Sequence, residues 1–112
     1  MATLTAQSIA YTGTAVTLAA ADAEGDRVAY NRNTFLWVKN GDTDPHTVTV
    51  SSEAPISPGL VQADVAVAIP AGEERLIGPF SQTGFRNSDG FVTWEYDAVT
   101  DVTIAAVSIP AV

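Results

Sequence analysis

With 112 residues, 46% hydrophobic and only 16% charged, the chain suits one globular domain around a single core and excludes intrinsic disorder, which pairs low hydrophobicity with dense charge. Thirteen acidic residues against five basic ones leave a net charge of −8, so phosphate backbones and anionic bilayers are repelled and neither nucleic acid nor membrane is expected as a partner. The lack of cysteine excludes disulfides and thiolate chemistry, no apolar run nears the ~20 residues of a membrane span, and the stretch before Arg27 holds no base and does not have the form of a secretory signal.

Residues 1–13 precede the first strand-like segment and read as an N-terminal arm, with the folded domain over 14–112. Val16 and Leu18 alternate with Thr17 in Ala15–Ala20, which stops at the acidic turn Asp22-Ala23-Glu24-Gly25-Asp26. Thr34–Asn40 follows. Phe35, Leu36, Trp37 and Val38 are all apolar, which predicts a central strand covered on both faces. Beyond the turn Gly41-Asp42-Thr43-Asp44-Pro45, the run Thr47–Ser51 points Val48 and Val50 inward and its hydroxyls outward. Two such runs around a short Gly/Asp/Pro loop predict a β-hairpin.

Glu53–Gly59, with Pro55 and Pro58, reads as a loop, and Val65, Val67 and Ile69 alternate in the next strand. The turn Pro70–Glu73 leads to a short strand, Arg75–Ile77, ended by Gly78-Pro79. Phe80–Gly90 is rich in turn residues. Phe91–Tyr96 resumes alternation, with Val92, Trp94 and Tyr96 on one side, and Val102–Ile109 is a long apolar strand. No helix is expected. About seven strands at this spacing predict an all-β, single-domain antiparallel β-sandwich, immunoglobulin-like or jelly-roll-like.

Motifs for chemistry are sparse. His46 is the single histidine, no Gly-x-Ser-x-Gly elbow accompanies it, and its neighbours suggest an exposed loop residue rather than a catalytic base. Asp42, Asp44 and His46 lack a calcium-loop pattern or a zinc ligand set, and Asp22, Glu24 and Asp26 read as an acidic turn. The pairs Glu73-Glu74 and Glu95 with Asp97 are carboxylates such as glycosidases use, without a neighbour that would split their acidities. No catalytic residue, cofactor or metal is therefore expected. Trp37 and Trp94 lie among alternating apolar residues and read as core, the alternative being a sugar-stacking platform. Phe80, Phe85 and Arg86 fall in a turn-rich loop, where an aromatic beside an arginine suits an interface anchor or, folded back, a plug for the end of the domain.

The runs Thr34-Phe35-Leu36-Trp37-Val38-Lys39-Asn40-Gly41, His46-Thr47-Val48-Thr49-Val50, Ile69-Pro70-Ala71-Gly72-Glu73, Leu76-Ile77-Gly78-Pro79-Phe80 and Val102-Thr103-Ile104-Ala105-Ala106-Val107 together resemble the small capsid decoration, or cement, proteins of tailed bacteriophages. The resemblance runs from about Thr14 onward, and its most distinctive piece is Pro-Ala-Gly followed by Ile-Gly-Pro-Phe; similar domains also occur as tail-tube and fibre accessory modules. It implies a virion protein, made in the host cytoplasm, that binds the outer capsid surface. The partner it implies is the major capsid protein, with a second copy of the chain as a further candidate. Leu4, Ile9 and Tyr11 of the arm, with Phe80, Phe85 and Arg86 of the loop, are the candidate capsid contacts. A stand-alone carbohydrate or ligand binder is the reading from a different class.

Overall fold

The computed structural model describes residues 1–52, 55–57, 60–61, 63–80 and 83–109, and over them the chain is all β. The strands are β1 Ala2–Leu4, β2 Gln7–Ser8, β3 Ala19–Ala20, β4 Asp26–Ala29, β5 Thr34–Asn40, β6 His46–Val50, β7 Pro55–Ser57, β8 Leu60–Val61, β9 Val65–Ile69, β10 Glu74–Ile77, β11 Phe91–Tyr96 and β12 Val102–Ser108. The only helical segment among the described residues is a 3-10 turn at Thr83–Phe85.

A first sheet has the order β1-β4-β11-β6-β9, and a second the order β10-β5-β12-β2 with β3 also on β12. β7 and β8 pair with each other. Both large sheets are mixed rather than purely antiparallel, because β1 runs parallel to β4 and β2 parallel to β12. The stretch 1–13, expected to stand outside the domain, thus supplies an edge strand to each sheet.

Alternation explains what is buried. Val28, Val48, Val50, Val92 and Trp94 of the first sheet and Leu36, Val38, Ile104 and Ala106 of the second point into one shared core. Removing such side chains from water is the main stabilising term, about 1.5–3 kcal/mol for each large one. Trp94 is 0% exposed. Its indole Nε1 donates to Tyr96 Oη at 2.8 Å, and Tyr96 Oη donates to Asp26 Oδ2 at 2.7 Å, while the buried Asp26 Oδ1 has no partner among the described residues. Burial, then the Asp26 carboxylate, pushes the Tyr96 phenol far above its ordinary range.

The predicted hairpin between Thr34–Asn40 and Thr47–Ser51 does not form. β5 pairs with β10 and β12 in the second sheet, whereas β6 pairs with β11 and β9 in the first. The loop between them is an arch that changes sheets, and Asn40 is the reason. This side chain is 1% exposed. Its Nδ2 donates to the carbonyls of Asp44 at 2.9 Å and Ile69 at 3.0 Å, and its Oδ1 accepts from Asp42 N at 3.0 Å. These bonds turn the chain out of its own sheet and fasten it to the neighbouring Pro70–Glu73 crossing, where Asn40 N also donates to Glu73 O at 2.9 Å.

Candidate interaction surfaces

Register places charge at one end of the molecule. Asn40 lies opposite Val102, His46 opposite Ile69 and Asp26 opposite Trp94, and Gly41 N donates to Asp101 O just beyond the β5–β12 pair. That end therefore gathers Asp22, Glu24, Asp26, Asp42, Asp44, Glu73, Glu74, Glu95, Asp97 and Asp101, most of the thirteen acids in the chain. The opposite end, where Thr34 meets Ser108 and Tyr30 N donates to Gly90 O, carries exposed Arg32 and Arg86 beside Asp64 and Asp89. The molecule is an electrical dipole along its strands.

His46 sits within the acidic end and is not the exposed loop residue its neighbours suggested. It opens β6, is 6% exposed, and has a carboxylate on each ring nitrogen: Asp42 Oδ2 2.8 Å from Nε2 and Asp97 Oδ1 3.2 Å from Nδ1. Carboxylates only accept, so both bonds are made at once by the imidazolium. The Asp42 bond raises the His46 pKa above 6.5, burial works against it, and Asp97 adds to the rise. Asp42 is lowered below 3.8 mainly by His46 and then by the Thr43 N–H. Desolvation alone would raise Asp97, but the backbone N–H groups of Thr47 and Ala98, with His46, outweigh it and hold the group low. Neither ring nitrogen is left to take a proton from a nucleophile. The two carboxylates lie on opposite sides of the ring and do not converge on one ion, and no group of three potential metal ligands occurs among the described residues.

The outer face of the second sheet is apolar. Leu76, Trp37 and Ala105 form one cross-strand row, and Phe35 with Val107 forms the next. Beyond β10, Gly78 (φ +124°) passes so close to β5 that a Cβ there would lie 2.9 Å from the Phe35 Cβ, so glycine lets the two backbones approach. Leu76 is 67% exposed. Trp37 and Phe35 are half-buried and their neighbours Ala105 and Val107 are each 2% exposed, so β5 is central as expected and its second face is covered only in part. Lys39 and Glu74 are directly opposite each other in the third row, and the Lys39 ammonium stands 5.8 Å from the Trp37 ring centroid. Trp37 is thus a half-buried residue of the outer face, outside the core cluster its alternation suggested, whereas Trp94 is core.

The candidate contact residues separate. Phe80 is 3% exposed and belongs to the core, and Phe85 packs against that core with its ring edge-to-face on Phe80, centroids 5.6 Å apart. They plug the end of the domain, which corrects Phe80 as a surface anchor. Ser81 and Gln82 of the same loop lie outside the described residues. Leu4 packs against the core from β1. Ile9, Tyr11 and Arg86 remain exposed, with Ile9 beside β12 through its N–H bond to Ser108 O. Grooves of about 380 and 300 Å³ flank the crossing from β1 to β2, lined in common by Thr3, Leu4 and Thr5. The sequence could not have marked the outer apolar face, because one continuous apolar run looks the same whether its second face is covered or bare. No family model, curated protein or solved structure matches this chain.

Proposed function

We propose that this chain is a bacteriophage head decoration protein, a β-sandwich of immunoglobulin-like or jelly-roll type that binds the outer capsid surface and catalyses nothing. The carrying observation is the outer face of the second sheet, where Trp37, Phe35 and Leu76 meet solvent in a chain whose only histidine is closed off by two carboxylates. Aromatic and aliphatic side chains on a flat face are the usual anchors of protein interfaces. Bound to neighbouring major capsid protein subunits, the domain raises the cost of separating them by mass action. The dense acidic end keeps the unbound protein soluble and favours a shell surface that presents bases. A carbohydrate-binding role draws on Trp37 alone, and the Lys39 ammonium already stands over that ring.

Co-sedimentation with mature, DNA-filled heads and, separately, with detached tails tests the reading. Saturable binding to heads at a fixed ratio to the major capsid protein is the expected result. Binding to tails alone would reassign the chain to a tail or fibre accessory module, and binding to neither would overturn a virion role.

A further inference from the structure

We propose that two copies of this chain pair edge to edge through β9, joining their first sheets into one continuous sheet. β9 closes one side of the first sheet and is bonded to β6 alone, and β7 and β8 form a sheet of their own. Thr47 O accepts from Asp97 N and Ser51 N donates to Thr93 O, so the odd-numbered residues of β6 face β11, whereas His46, Val48 and Val50 face β9. Their partners Val65, Val67 and Ile69 therefore spend their main-chain groups on β6. The N–H and C=O of Ala66 and Ala68 point away from the sheet. Both residues are exposed, and no hydrogen bond reaches these groups among the described residues.

The other edges are short or guarded. β1 has three residues, and β2 and β3 have two each. The Gln7 amide of β2 exchanges bonds of 2.9 Å with Thr17 N and O, and on β10 the Arg75 guanidinium donates to the outward Glu74 O at 2.9 Å. β9 has five residues, Val-Ala-Val-Ala-Ile, with none of the charge, proline or bulge that keeps an edge unpaired. A row of outward N–H and C=O groups fits another extended backbone, and the strand's own sequence fits a second copy of itself. Antiparallel pairing about Val67 sets Ala66 against Ala68 of the second copy and Val65 against Ile69. Small side chains then meet small ones, branched meet branched, and no charge within the strand meets its like. The pairing also covers Val65, which is 39% exposed. β9 runs toward the acidic end, where Ile69 lies opposite His46, so antiparallel pairing carries the two acidic ends apart. It is isologous, consumes the β9 edge of both copies and closes at two. It stands whether or not the protein decorates a capsid.

Sedimentation velocity of the purified chain over about a hundredfold range of concentration, with amide hydrogen exchange on the same samples, tests the pairing. Twice the monomer mass of 11.7 kDa is expected at the upper end. The Ala66 and Ala68 amides should exchange freely in the dilute chain and become protected in the concentrated one, while the Val67 amide, facing β6, stays slow throughout. Ala68→Pro removes an N–H that the single chain does not bond and should weaken association about tenfold or more. Ala68→Ser keeps that N–H and should pair like the wild type. A chain that stays monomeric throughout overturns the proposal. So does a dimer whose Ala66 and Ala68 amides exchange equally fast at every concentration, since its contact then lies elsewhere. A folded Ala68→Pro chain that pairs like the wild type, or an equal loss in Ala68→Ser, overturns it as well; if Ala68→Pro does not fold, the exchange of the wild-type amides decides.

Discussion

His46 shows how far one residue's role depends on distant chain. Its neighbours in sequence are a turn, and only the fold brings Asp97 to its Nδ1, fifty-one positions away. The consequence is a definite pH response. Below 6.5 the ring is protonated whether the chain is folded or not, and the clamp contributes fully to stability; as pH rises through the raised folded value, that contribution is lost. Asp42 and Asp97 have lowered values, so their contribution is present above 3.8 and is lost as pH falls through their folded values. Chemical denaturation at a series of pH values should therefore show stability highest at mildly acidic pH and declining above about pH 6.5. His46→Gln should be less stable than wild type on the acidic side and should lack that decline; a wild type that loses nothing above neutrality would mean the ring is not held as an imidazolium.

At the scale of elements, β5, β9 and β11 have the boundaries their alternation predicts, because period-two patterning is a local signal. The strands β1, β2 and β4 escaped because their reasons are not local. β1 and β2 are three and two residues long and pair in parallel with strands far along the chain. β4 begins with a charged pair, Asp26-Arg27, and the buried Asp26 carboxylate is met by donors that the fold brings to it, Tyr96 Oη and Asp22 N. The arch between β5 and β6 was read as a hairpin because Gly, Asp and Pro serve either turn equally well. What decides it is Asn40, two positions past the apolar run Phe35–Val38. Asn40→Ala removes its bonds to Asp44 and Ile69 from a buried site, leaving carbonyls unpaired, and should cost about 3 kcal/mol of unfolding free energy by denaturant titration. A cost near zero would show that the arch is held by its flanking strands alone.

For the whole molecule, composition foretold acidity but not its concentration at one end. The acids are spread along the chain, and it is the crossings between sheets that bring Asp22, Asp42, Glu73, Asp97 and Asp101 together. Part of the folding free energy is therefore spent on their mutual repulsion. The thermal midpoint should rise as sodium chloride is added from low ionic strength and level off once the screening length falls to about 8–10 Å. A midpoint insensitive to salt would mean that the His46 clamp and the Glu73–Arg75 pair neutralise that end more fully than their number suggests.

The place of β12 governs how this protein can be made. Val102–Ser108 form the middle of the second sheet, with β5 on one side and β2 and β3 on the other. A ribosome delivers that segment after every strand that leans on it. Until it emerges, β2, β3 and β5 have no common partner strand, so the nascent chain cannot complete its second sheet, and the sheet closes in one late step that joins strands far apart along the chain.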